Sequence, residues 1–226
     1  MTPIRILFVS ATFAWFLSSC STIQSDQGAV EESPSSSWDL QSGDLVFQIS
    51  KSNQSQAIQD ATNCSYSHVG IVYRNGAETS IFEAVEPVRI IAWDSWRKRG
   101  KGEHVIVKRL KDTSVLTPDA LRKMQAIGEP WLGKHYDLQF MWSDEQLYCS
   151  EVVWKVFERG ASVELCPLGR VGDLDLSDES VSDLAQNRFR GGLDNVPLDE
   201  PIVTPADLFH APSLHTIFST PGAPQN

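Results

Sequence analysis

Cys149, His68 and Glu83 have the residue types that nucleophilic catalysis needs. Cys149 stands in Leu147-Tyr148-Cys149-Ser150-Glu151-Val152-Val153-Trp154, where a short segment runs into an expected helix. A helix N-terminus offers unpaired N–H groups and the positive end of the macrodipole. Both favour thiolate, the reactive form of cysteine, and the same N–H groups can hold a developing oxyanion. The position equally suits a small buried cysteine that packs a helix start. A base must lie within hydrogen-bond reach of the nucleophile, and His68 is singled out by hairpin geometry. With Asn75-Gly76 as a two-residue turn, His68 faces Glu83 directly across a strand pair, with Cβ atoms about 4.5–5.5 Å apart. A carboxylate there would fix the imidazole tautomer and stabilise the imidazolium. A longer turn shifts the register and undoes that pairing, leaving a polar pair at a strand edge.

The surrounding elements follow from pattern. Gly43-Asp44-Leu45-Val46-Phe47-Gln48-Ile49 reads as a turn into a strand, and residues 53–62 suit a helix. Ser67 to Tyr73 alternates as a strand, the Asn-Gly turn follows, and Ser80 to Val85 returns. Val105 to Leu110 is a further strand. Thr117-Pro118 opens a helix from Asp119 to about Leu132, and residues 150–159 form another with Gly160 as its stop. Residues 170–200 read as an acidic, extended surface segment, and Thr204-Pro205 caps a last short helix. Clustered strands with flanking helices make the fold class α+β.

The remaining histidines have weaker settings: His104 at a solvated strand edge, His135 on a turn, His210 and His215 in the C-terminal segment. Cys, His and Glu also ligate zinc, but no CxxC or HxxxH spacing occurs, so no metal is expected. Without a nucleotide-binding glycine loop or a redox CxxC, no organic cofactor is expected either. The 226 residues carry a net charge of −10, which lacks the basic footprint that nucleic acid requires and favours small or cationic-ended substrates over large anionic ones.

The N-terminus reads as an address. Arg5 precedes twelve uncharged residues, Ile6 to Leu17, too short for a spanning helix of about 20 residues but suited to a signal-peptide core. Leu17-Ser18-Ser19-Cys20 resembles the lipobox of bacterial lipoproteins, which implies lipidation at Cys20. Ser21, by similarity to enterobacterial sorting, implies an outer-membrane lipoprotein facing the periplasm; the alternative is a soluble periplasmic protein. The expected organisation is a signal peptide over 1–19, a flexible Ser-rich tether over 20–37, a domain over 38–218 and a disordered tail over 219–226. Cys64, Cys149 and Cys166 then remain, an odd number for an oxidising compartment. Of the possible bridges, Cys64–Cys166 is the one that leaves Cys149 free.

Five motifs occur in order: Gly43-Asp44-Leu45-Val46-Phe47-Gln48, Tyr66-Ser67-His68-Val69-Gly70, Phe82-Glu83-Ala84-Val85, Leu132-Gly133-Lys134-His135-Tyr136-Asp137 and the Cys149 segment. Together they resemble the YiiX/YebB-like cysteine hydrolases, a circularly permuted branch of the papain-like NlpC-type superfamily, over about residues 40–212. The resemblance implies a small antiparallel sheet or barrel packed against helices, with Cys149 as nucleophile, His68 as base and Glu83 as the third polar residue. Tyr136 is similar to a tyrosine that helps form the oxyanion hole, though a buried tyrosine satisfied by backbone fits as well. The implied function is an envelope-anchored cysteine hydrolase that cleaves an amide through an acyl-thioester, first of all in cell-wall, peptidoglycan-type peptides. The alternatives are a thioesterase, amidase or acyltransferase acting on acyl lipids with the same residues, and a non-catalytic module binding a small ligand.

Overall fold

The computed structural model describes residues 38–224. The expected signal segment, Cys20 and the tether lie outside them. Six strands form one open antiparallel sheet: β1 (Leu45–Gln48), β2 (His68–Asn75), β3 (Glu78–Glu83), β4 (Arg89–Ala92), β5 (Val105–Leu110) and, last in the chain, β8 (Leu214–Ser219). Their order across the sheet is β4-β3-β2-β1-β5-β8. The central strand β1 is buried along its whole length, as a strand covered on both faces must be. Leu45 and Phe47 join the larger core, and Val46 joins a smaller core on the opposite face.

The two faces are covered by different helices. On the larger core lie α3 (Pro118–Gly128) and α4 (Cys149–Ala161), whose Val152, Val153, Val156 and Phe157 are fully buried. The smaller core is built under α2 (Trp93–Arg99) by Trp93 and Trp96, stacked at a centroid distance of 5.8 Å. The helices α1 (Ser55–Thr62), α5 (Glu179–Arg188) and α6 (Pro205–His210) complete the fold with a two-stranded ribbon of β6 (Gly169–Arg170) and β7 (Pro201–Ile202). Among the described residues no helix is long and apolar enough to cross a membrane.

The α+β architecture is as expected, and the sheet is open rather than a barrel. Thr117 and Thr204 each cap the helix that follows, accepting from Ala120 N and Asp207 N. Four local expectations change. The β2–β3 turn is Gly76-Ala77, with Asn75 paired to Glu78; Gly76 holds φ +59° at the first central position, where glycine is suited to a two-residue hairpin loop. Gly160 does not end α4. It lies inside the helix, where a Cβ would come within 2.6 Å of Met124 Cα, and Ser162 in the left-handed conformation caps the end instead. Residues 170–200 are no extended surface segment: they contain α5 and fold against α1, with Asp175 N donating to Ala61 O. Residues 219–224, expected to be disordered, continue from β8, where Thr220 N donates to Val105 O and Tyr66 Oη to Pro224 O. The Cys64–Cys166 bridge does not form, since Cys166 keeps a free thiol. Burial pushes that thiol's pKa up to about 12.

Candidate active site

Cys149 is the first residue of α4, and its side chain is almost wholly buried. Three groups hydrogen-bond its sulfur: the His68 imidazole, the Val69 N–H and the Tyr136 hydroxyl. The segment before the helix is tied down on both sides. Asp137 N donates to Leu147 O, and Ser150 Oγ donates to Val203 O at 2.7 Å. Glu151 Oε2 accepts from Tyr148 N, closing the helix start. The macrodipole's positive end is thereby fixed at the thiol.

His68 opens β2, and its Nε2 lies 2.7 Å from Glu83 Oε2 on the last residue of β3. With Nε2 occupied, Nδ1 is the nitrogen left for Cys149. Glu83 has no exposed surface, and all its other partners are donors. Trp96 Nε1 donates to Oε2 at 2.8 Å, Arg89 Nε donates to Oε1 at 3.1 Å, and Arg99 Nη2 also donates to Oε2. Trp96 further stacks on the His68 ring at 6.2 Å. The structure thus brings together all three residues expected at the site.

The electrostatics favour a charged pair. Burial alone pushes His68 down, but hydrogen bonds and charge from Cys149 and Glu83 outweigh it and raise the imidazole to about 9. For Cys149, burial pushes the thiol up, while His68, the Val69 N–H and Tyr136 together bring its pKa below the ordinary value. Burial likewise raises Glu83, yet His68, Arg99 and Arg89 hold it at about 2. The resulting arrangement is thiolate, imidazolium and carboxylate in series.

Tyr136 stands where expected, fixed at both ends. Its N–H donates to Glu86 Oε2, and its hydroxyl accepts from Gln54 Nε2 at 3.0 Å. Gln54 Oε1 in turn accepts from Arg188 Nη2. A chain of polar contacts thereby runs from α5 through Gln54 and Tyr136 to the sulfur. Arg188 Nη1 is buried without a partner. Asp137 serves its own loop, accepting from Gln139 N and Met141 N.

Sequence reasoning missed Arg89, Trp96, Arg99, Gln54 and Arg188. The signal for α2 was present: Trp93 and Trp96 stand three apart, followed by basic residues and Gly100. That Arg89, Trp96 and Arg99 converge on Glu83 depends on the β3–β4 pairing and has no local signature.

Cys149 lines a narrow cavity of about 100 Å³. Tyr136, Gln139, Phe140, residues of α1, the segment from Val171 to Pro197 and the stretch from Ile202 to Pro205 also line it. Arg188 is its only charged lining residue among the described residues. No group of three or more His, Cys, Asp or Glu is positioned to hold a metal ion, again among the described residues.

Comparison with known proteins gives the family. YiiX of Escherichia coli strain K12 is 36% identical over 184 residues, which is 81% of this chain and 89% of that protein. A solved structure described as the metalloprotein YiiX of Escherichia coli O157:H7 is 36% identical, with a TM-score of 0.75 over 80% of this chain and 98% of the other. The model of the permuted papain-like amidases, YaeF/YiiX, C92 family, matches residues 39–218. A permuted papain-like fold explains why the imidazole precedes the thiol in sequence, and the chain belongs to that amidase family.

Proposed function

We propose that this protein is an envelope-anchored cysteine amidase in which Cys149 is the nucleophile, His68 the proton carrier and Glu83 the group that orients His68. The observation that carries the reading is the buried series of thiol, imidazole and carboxylate at the start of α4, opening onto a cavity. The Cys149 thiolate attacks the amide carbonyl carbon, and the negative oxygen faces the first N–H groups of α4 and the Tyr136 hydroxyl. The C–N bond breaks as His68 gives its proton to the departing amine, leaving an acyl-thioester on Cys149. His68, now neutral, takes a proton from water, whose oxygen attacks the thioester. The acid leaves and the thiol is restored.

Cell-wall peptides are the substrate class suggested by the family resemblance. The cavity favours the other candidate, an amide of an apolar acyl group, because its lining offers only Arg188 to a charged peptide. The Cys20 segment supports anchoring to the outer membrane, on its periplasmic side; alkyne-palmitate labelling lost in Cys20→Ser tests that part separately. For the chemistry, intact-mass analysis of the protein mixed with an N-acyl amide should show one acyl adduct, mapped to Cys149 and absent in Cys149→Ala. Amide turnover that survives Cys149→Ala would refute the mechanism.

A further inference from the structure

β4 is the last strand on its side of the sheet, and its outer edge is paired only at the start. Val88 N donates to Lys134 O there, and Gly133 N donates to Val88 O. Groups that point outward recur at every second residue of an antiparallel strand. Ile90 therefore turns its N–H and C=O to the same edge, where no described residue pairs with them. Beside that edge, between the sheet and α3, lies a cleft of about 990 Å³ that shares no lining residue with the cavity at Cys149.

The strand register shapes the cleft. Tyr73 pairs with Ser80 and Ser80 with Ala92, so two small side chains leave a trough from the open edge to Tyr73. Tyr73 is only 7% exposed, and its hydroxyl is buried without a hydrogen-bond partner. Such a group destabilises the fold unless a guest supplies the missing bond. Ile90 and Leu132, two of the four large apolar side chains exposed among the described residues, flank the trough. The cations of the rim are engaged elsewhere: Arg74 donates to Leu40 O and Gly76 O, and Arg122 to Asp119. Glu78 and Glu129 line the same cleft with no ion-pair partner among the described residues.

We propose that the β4 edge and this cleft bind an extended peptide carrying a basic side chain, which joins the sheet as an added strand. The peptide main chain pairs with Ile90, and every second side chain turns into the cleft. A lysine there lays its methylenes along Ile90 and Leu132 while its ammonium donates to Tyr73 Oη. Glu78 and Glu129 supply the counter-charge. The site stands independently of the amidase reading.

The probe is a capped pentapeptide of threonine and valine around a central lysine, titrated into the full chain and followed by calorimetry. Versions with norleucine or glutamate at the centre are the controls. Tyr73→Phe should weaken the lysine peptide by about 10–100-fold and leave the norleucine peptide unchanged. Because it removes an unpaired buried hydroxyl, the unliganded variant should be at least as stable as wild type and alkylate normally at Cys149. Glu78→Gln with Glu129→Gln should weaken binding and flatten its salt dependence. N-methylation of the lysine amide and of the two valine amides should have opposite results, one abolishing binding and the other sparing it. Ala92→Leu, which fills the trough, decides if Tyr73→Phe folds poorly. No binding of the lysine peptide, equal binding of the glutamate peptide, an affinity that Tyr73→Phe leaves unchanged, or indifference to both methylation patterns would overturn the proposal. So would a protein that ignores the peptide and pairs β4 with a second copy of itself.

Discussion

Glu83 reaches His68 along the diagonal of the β2–β3 ladder, across the position held by Gly70. The pairs Ile71–Phe82 and Val72–Ile81, continued by one residue, set Gly70 opposite Glu83. A Cβ on Gly70 would lie 2.5 Å from Ile81 Cγ2 and 3.6 Å from Glu83 Cβ. Without that atom, the carboxylate and the ring meet at 2.7 Å over a diagonal that normally spans about 7–8 Å between Cα atoms. Gly70→Ala should therefore lower kcat/KM and slow Cys149 alkylation at neutral pH, and an unchanged alkylation profile would show that Gly70 has no part in the contact.

Glu83→Gln removes the only carboxylate among four donors and leaves Arg89 and Arg99 facing a neutral amide. His68 then loses the partner that holds it charged, and kcat/KM should fall by about 10²–10⁴-fold. Stability responds to pH with a definite sign. Glu83 is depressed from 4.5 to about 2, so its contribution is complete above pH 4.5 and disappears as pH falls through 2. Urea denaturation between those pH values should show a wild-type loss of at most about 3 kcal/mol that Glu83→Gln lacks. Parallel acid profiles for the two proteins would contradict the assignment.

The thiol should report the state of His68. Because His68 stays charged up to about 9 and the Cys149 pKa is lowered, alkylation should begin below the ordinary thiol range near 8.5. Activity should decline on the alkaline side as His68 loses its proton near 9. In His68→Ala burial acts without its main counterweight, only the Val69 N–H and Tyr136 remain, and the onset moves up. A wild-type onset at or above the ordinary value, or one that His68→Ala leaves in place, would disprove the ion pair.

Part of the site is legible in the sequence alone. Cys149 and His68 can be found because a helix start and an Asn-Gly hairpin leave local marks. Glu83 follows from a register two residues out of step. That shift preserves the face, since side chains alternate with a period of two, and a direct pair becomes a diagonal one. The donors around Glu83 are illegible for a different reason: Arg89, Trp96 and Arg99 are gathered by β4 and α2, whose placement is a tertiary fact. The role of residues 171–197 is hidden by composition. Their acidic side chains mark an exposed segment, and only the folded chain shows Leu174, Leu176 and Leu184 lining the same cavity as Cys149.

Tyr136→Phe keeps the ring and deletes the hydroxyl that touches both the sulfur and Gln54. Loss of one such donor should lower kcat by about 10²–10³-fold and raise the pH at which Cys149 alkylates. A merely packing tyrosine would leave both unchanged.

Behind the nucleophile, Lys155 is buried, and its Nζ donates to Glu151 Oε1, Asp144 Oδ1 and Ser143 O, at 2.7, 2.8 and 2.6 Å. Glu151 is also buried, and burial raises it to about 7 in spite of Lys155. A raised carboxylate stabilises most below its unfolded value of 4.5, and that contribution is lost as pH rises through 7. Lys155→Met leaves Glu151 with no cation, while Arg159 and Lys134 still hold Asp144, so it should destabilise by about 3–5 kcal/mol at pH 8 and by less at pH 5, where Glu151 is protonated. Glu151→Gln should flatten the pH dependence between 4.5 and 7 while keeping an acceptor for Tyr148 N. Because Glu151 closes the helix that carries Cys149, Lys155→Met should also lower kcat more at pH 8 than at pH 6. Thermal melts of both variants across that range give the answer, and a Lys155→Met penalty independent of pH would detach Glu151 from the titration.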